Sequence, residues 1–198
     1  MEYGFLSGLG LSASAGLNAY IPLLVIALAD RLSDEVTLDR PYDFLSSTPG
    51  IVIILLLLTV ETIVDKIPGV DHFNDLIHSA IRPAAGAILM MAATNEGVNL
   101  NPALAMVFGL FVAGGVHAGK ALSRPAITVS TGGVGNPVIS MLEDAVSAIT
   151  AVIAVVLPLV VIALIAASAV LLYWSYRRIR RWRLRAPPSS PTSPTLRR

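Results

Sequence analysis

Long runs without a single charged side chain constrain this chain more than any other feature. Tyr3 to Ala29 holds no Asp, Glu, Lys or Arg over 27 residues, Phe44 to Val60 none over 17, Gly97 to Gly119 none over 23, and Ala145 to Tyr176 none over 32. About 20 apolar residues cross a hydrocarbon core ~30 Å thick as a helix, which satisfies its backbone polar groups within itself. The run Pro83 to Asn95 has only 13 residues and would span only ~20 Å. Either His72 to Thr94 is the full crossing, with Arg82 near its middle, or the charged stretch lies on the outer surface and the core helix is short or re-entrant. The expected fold is an all-α membrane protein of about five transmembrane helices, some broken at Pro or Gly. A charged fraction of 14%, against about 25% in soluble domains, excludes an ordinary water-surrounded globule.

The net charge of +1 hides a split. Met1 to Trp174 carries 6 Lys/Arg against 13 Asp/Glu, while Ser175 to Arg198 carries 8 Arg and no acid. Lys and Arg near helix ends favour the cytoplasmic side. The cluster from Arg177 to Arg185, next to Tyr173, Trp174, Tyr176 and Trp182, therefore places the C-terminus in the cytoplasm and, over five spans, the N-terminus outside. The first run has no basic stretch before it and no small-residue cleavage site, so it reads as a span and not as a signal peptide. The expected organisation is a helical membrane domain over residues 1–176 and a cytoplasmic Arg-rich tail over 177–198, disordered from about 186 where Pro, Ser and Thr dominate. The tail's expected partner is anionic lipid of the inner leaflet; nucleic acid is not expected, since no folded reader accompanies the arginines. An oligomer is compatible with all of this.

Two stretches are alike. His78, Arg82-Pro83-Ala84, Gly97-Val98, Asn101-Pro102 and Met106 are followed by His117, Arg124-Pro125-Ala126, Gly133-Val134, Asn136-Pro137 and Met141. The order is kept and the spacing is not, which leaves open an internal repeat or chance in a chain rich in Ala, Gly, Val and Pro. Many transporters are built from such repeats, with the site where they meet. Proline disfavours helix before it and fits a first turn, so Pro83 and Pro125 are expected to open new helix segments.

The ionisable residues are patterned. Asp71, Asp75, His78 and Arg82 fall within ~60° of arc on a helix, and His117, Lys120 and Arg124 form a second stripe. Glu61 and Asp65 end the second span, and Glu143 and Asp144 precede the fifth. Threading five spans gathers these groups on one side of the membrane, where charges near hydrocarbon turn inward and pair. Arg82 is expected to meet one of Glu61, Asp65, Glu143 or Asp144. In the first span Ser12-Ala-Ser-Ala-Gly-Leu-Asn18 is rich in small residues that allow close packing, and Asn18 with Pro22 marks a weak point in mid-membrane. The Gly-rich Ser130 to Pro137 reads either as a broken-helix segment or as an outer loop.

Four functions follow from this pattern. The first is a transporter or channel-like protein for a small charged solute, bound by Arg82, Arg124, His78, His117, Lys120, Glu61, Asp65, Asp75, Glu143, Asp144 and Asn18. An anion is favoured, because each Arg-Pro would put an arginine at a helix N-terminus, and the imidazoles would couple the site to protons. The second is a structural network of buried salt bridges. The third is a metal site: Asp75-x-x-His78 is similar to the carboxylate-x-x-His pairs of di-metal bundles, with Glu61, His117 and Glu143 to complete a shell. A lipid-phosphate enzyme is the weakest reading. Lys120-x-x-x-Arg124-Pro125 resembles a phosphatase motif with spacing that is too short, and the common hydrolase and metalloprotease motifs do not occur. The absence of cysteine excludes thiolate chemistry, and no resident cofactor is expected beyond a metal ion under the third reading.

The motifs Ser12 to Pro22, Glu61-Thr-Ile-Val-Asp-Lys-Ile-Pro-Gly-Val-Asp71 and Arg82-Pro83 resemble a bacterial family of small integral membrane proteins known only as a domain of unknown function. The resemblance covers about Phe5 to Pro158. It implies a helical protein of the bacterial inner (cell) membrane, and brings with it no activity, substrate or site residue.

Overall fold

Seven α-helices account for nearly all of the computed structural model, which describes residues 4–64, 71–94 and 100–185. They are α1 (Gly4–Leu17), α2 (Tyr20–Leu32), α3 (Thr48–Val64), α4 (Asp71–Thr94), α5 (Pro102–Thr131), α6 (Asn136–Val156) and α7 (Pro158–Arg185), with one 3-10 turn at Tyr42–Ser46 before α3. No strand occurs among the described residues. Three helical stretches, Leu76–Thr94, Pro102–Thr131 and Asn136–Val156, are long and apolar enough to cross a membrane; Gly4–Leu17, Thr48–Val64 and Pro158–Ser168 are shorter apolar helices.

The chain divides into two units, Met1–Ile162 and Ala163–Arg198. In the first, α1 is the central rod, packed against α4, α5 and α6, while α4 pairs with α5 and α2 lies against α3 and α6. The α1 sequence explains its place. Gly, Ser and Ala leave so little bulk that neighbouring backbones come within contact of it, as small residues do in membrane bundles. The α4–α5 seam works the same way. A Cβ at Gly86 would lie 2.8 Å from the Gly109 carbonyl oxygen and would collide with Ala113 Cβ. The second unit is the remainder of α7, in which the Arg177 guanidinium lies 5.6 Å from the Tyr173 ring centroid.

Burial is reversed relative to a soluble protein. Ser7, Ser12, Ser14, Asn18, Glu61, His78, Arg82, His117, Lys120 and Ser147 are buried, and Arg82 is wholly so. Leu55, Leu56 and Val60 on α3, Val107, Phe108 and Phe111 on α5, and Ile149, Val152 and Val156 on α6 face outward. An apolar surface this continuous is not sustained in water; against lipid it is the expected face.

One expectation is corrected, at Pro83 and Pro125, and two open points are decided. The first charge-free run is two helices, because Asn18 takes over backbone donors that would otherwise continue α1. Pro83 and Pro125 do not open helices: both lie inside continuous ones, α4 and α5. An interior proline removes one backbone hydrogen bond and crowds the preceding turn, and these packed helices run through that defect. The segment after Thr131 is a turn joining α5 to α6, with Gly132 at φ 62° and Gly133 at φ 87°. Gly132 caps α5 by donating its N–H to the Thr128 carbonyl, a left-handed cap that glycine adopts without strain. The repeat does map onto the same local structure twice. Each Arg-Pro lies within a helix, and each Asn-Pro opens the next: Asn101 Oδ1 accepts from Ala103 N at 2.9 Å to cap α5, and Asn136 begins α6.

The expected disorder beyond 186, Asp65 and Lys66 lie outside the described residues, as do the side chains of residues 71–75, Asp71 and Asp75 among them.

Candidate functional site

The site begins at the break between α1 and α2. Asn18 Oδ1 accepts hydrogen bonds from the backbone N–H groups of Tyr20 at 3.0 Å and Ile21 at 3.1 Å. In an unbroken helix those two donors would serve the carbonyls four residues earlier, Gly16 and Leu17. Asn18 therefore caps α2 and releases the last carbonyls of α1. Lys120 Nζ, on α5, donates to the Leu17 carbonyl at 3.1 Å, a cation placed at the negative end of a helix dipole. Asn18 Nδ2 in turn donates to Asp144 Oδ1 at 2.9 Å. Ser14 and Ser147 join their hydroxyls at 2.8 Å one turn away and fasten α1 to α6.

Lys120 Nζ also lies 2.8 Å from Glu143 Oε2, and Arg124 NH2 lies 3.5 Å from the same oxygen. One carboxylate on α6 thus serves two cations one turn apart on α5. Lys120 belongs to the stripe that His117 begins, and through His117 this cluster adjoins a second. Arg82 on α4 donates from NH2 to Glu61 Oε1 on α3 at 3.0 Å, and its NH1 lies 3.1 Å from His117 Nδ1. A guanidinium can only donate, so Nδ1 is the bare nitrogen of His117. Its ring proton is then on Nε2, which donates to Ser79 Oγ at 3.2 Å. His78 Nε2 stands 3.2 Å from Glu61 Oε1, with the Tyr20 ring edge-on to it at 6.1 Å between centroids.

Of the residues the sequence offers, Asn18, Glu61, His78, Arg82, His117, Lys120, Arg124, Glu143 and Asp144 fall into these two adjoining clusters. Arg82 meets Glu61, one of its four candidate acids. Tyr20, Ser79 and the Leu17 carbonyl join them without any signal in the sequence reading: an ordinary aromatic, a lone serine and a backbone atom carry no charge pattern. Position along the helices varies: Glu61 is the fourteenth of the 17 residues of α3 and Arg124 the twenty-third of the 30 of α5, whereas three other groups lie midway. Arg82 is the twelfth of the 24 residues of α4, His117 the sixteenth of the 30 of α5, and Asn18 lies midway along Gly4 to Leu32. Within the two clusters, the described acids Glu61, Glu143 and Asp144 equal in number the described fixed cations Arg82, Lys120 and Arg124. Because no helix starts at Pro83 or Pro125, the expected pair of helix N-termini cradling an anion does not exist. Among the described residues, no group of three or more His, Asp or Glu side chains is placed to hold a metal ion; Asp75, which that reading required, lies outside them.

The sequence model of one family, a domain of unknown function (DUF4126), matches residues 5–178. No curated protein and no solved structure matches the chain.

Proposed function

The chain belongs to the family described as a domain of unknown function, DUF4126, and from the site alone we propose that this helical membrane protein transports a small charged solute, held closed here at its central polar cluster. The observation that carries this reading is the break at Asn18, midway along Gly4 to Leu32 and surrounded by ionisable side chains from α3, α4, α5 and α6. Broken helices at membrane depth are tolerated where protein or a water-filled path satisfies the freed backbone, and in transporters their ends hold the solute. Intramembrane ionisable residues point to a functional site by default. The protein is assigned to the bacterial inner membrane, with the arginine-rich end in the cytoplasm at anionic lipid. The sign of the solute no longer follows from the arginines, since Arg82, Lys120 and Arg124 are each held by a carboxylate.

One observation favours a second reading, a structural salt-bridge network: among the described cluster residues, three acids are matched by three fixed cations. Proteoliposomes separate the two. Flux of small anions, alkali cations and small organic ions is compared for the parent chain, Arg82→Lys and protein-free vesicles. Transport predicts that one class moves faster with the parent, and that Arg82→Lys, which keeps the charge but loses the forked contact to Glu61 and His117, slows it about tenfold or more. A folded parent that moves no solute leaves the structural reading.

A further inference from the structure

We propose that the broken end of α1 is a binding site for a small monovalent cation, and that the ammonium of Lys120 is its tethered occupant. The inference rests on the transport reading only for what happens after binding; it names the class of solute.

Asn18 draws the N–H groups of Tyr20 and Ile21 to its own Oδ1. The Leu17 carbonyl, the partner of Ile21 N–H in a straight helix, is thereby freed at the negative end of the α1 dipole. Glu143 Oε2 converges on the same point, since both oxygens are held by a single atom, Lys120 Nζ, at 3.1 and 2.8 Å. A carbonyl oxygen and a carboxylate oxygen from different helices are the hard donors that such ions take, and half-helix C-termini hold monovalent cations in transporters. The side chain of Lys120 is 2% exposed, so the occupant is sealed in. It arrives from α5. Arg124 shares Glu143 more distantly at 3.5 Å and does not reach Leu17, so it reinforces the carboxylate without filling the carbonyl end.

Charge decides how the site is used. With Lys120 docked, Glu143 already faces two cations, Lys120 and Arg124, and a free cation added on top would be repelled by both. Withdrawal of the lysine along its flexible four-carbon stem removes one positive charge, and entry of one monovalent cation restores the balance. The exchange is therefore one for one, with Lys120 competing intramolecularly for the place its solute takes. Divalent ions would leave an excess charge and are disfavoured.

The test is chemical replacement of the tether. Thermal unfolding of the purified full chain in detergent is followed for the parent, Lys120→Ala and Lys120→Arg in NaCl, KCl, methylammonium chloride, butylammonium chloride and, as a bulky control, tetraethylammonium chloride. Lys120→Ala is expected to be restabilised by alkali or alkylammonium ions at millimolar concentration and not by tetraethylammonium. Parent and Lys120→Arg, whose site is filled, respond at least about tenfold more weakly. The alkali and alkylammonium arms tell which kind of cation the oxygens prefer. If Lys120→Ala does not fold in tetraethylammonium, recovery of folded protein on purification in butylammonium is the same result. Indifference of Lys120→Ala to every small cation, or failure of all of them to recover it, overturns the proposal. The transport reading is judged apart: a cation that binds but crosses no vesicle leaves this site standing and removes transport, whereas an anion that crosses while no cation binds does the reverse.

Discussion

Arg82 is the residue on which the described interior most depends. It is fully buried, it joins α4 to α3 through Glu61 and to α5 through His117, and its charge is tolerated because the carboxylate lies 3.0 Å away. Removing one partner of such a pair leaves an uncompensated buried charge, which costs about 3–5 kcal/mol, whereas replacing both is often near neutral. Arg82→Met should therefore lose about that much stability in thermal unfolding, and Arg82→Met with Glu61→Gln should regain most of it. Equal losses in the single and double variants would mean that the pair is not coupled. Asn18 acts by another route. Its side chain makes three hydrogen bonds that hold the break, so Asn18→Ala should cost about 1–2 kcal/mol, as loss of a helix cap does. Asn18→Asp would set a second carboxylate against Asp144 and should be worse than Ala.

At the scale of the element, helices in a lipid-facing bundle are held by close backbone approach and polar clasps, because lipid tails are as apolar as leucine and give no hydrophobic drive. The α4–α5 seam shows how local this is. Gly86 and Gly109 face each other so closely that any side chain must displace backbone, while a Cβ at Gly115, also in α5, meets nothing within 4 Å. Gly86→Leu should separate the two helices and lower the unfolding temperature sharply. Gly115→Ala should be neutral or stabilising by up to about 1 kcal/mol through helix propensity alone. Similar losses from the two substitutions would contradict the seam. Ser12 and Ser14 are the polar counterparts, with Ser12 Oγ donating to the Gly86 carbonyl at 2.8 Å, so α1 is tied to the same narrow point of α4.

For the molecule as a whole, what the sequence made legible was governed by cost. A charge in an apolar run is so expensive that its partner must be another charge within reach, which is why an acid for Arg82 among Glu61, Asp65, Glu143 and Asp144 follows from the sequence, while the choice of Glu61 and the pairing of Lys120 with Glu143 do not. Where helices begin and end was less legible. Lys120 and Arg124 look like the end of a span when charge is taken as the boundary, yet their pairing with Glu143 lets α5 run on to Thr131. Pro83 and Pro125 look like helix starts because the local preference is strong, but tertiary packing overrides the loss of one backbone bond. Asn18 was visible as a weak point, while the carbonyl it releases was not, since backbone atoms leave no mark in composition.

The central claim is that the polar cluster at the α1–α2 break is a place where water and solute arrive, and single-cysteine accessibility tests it most directly in a chain without native cysteines. Ala19→Cys sits fully buried beside the break, Ala113→Cys fully buried in the α4–α5 seam, and Leu56→Cys on the outward face of α3. In membranes, a small charged thiosulfonate supplied from water should modify Ala19→Cys and spare Leu56→Cys in lipid and Ala113→Cys in dry packing. If Ala19→Cys is as inert as the other two in folded protein, the cluster is a sealed structural network and the account of it as a transport site is wrong.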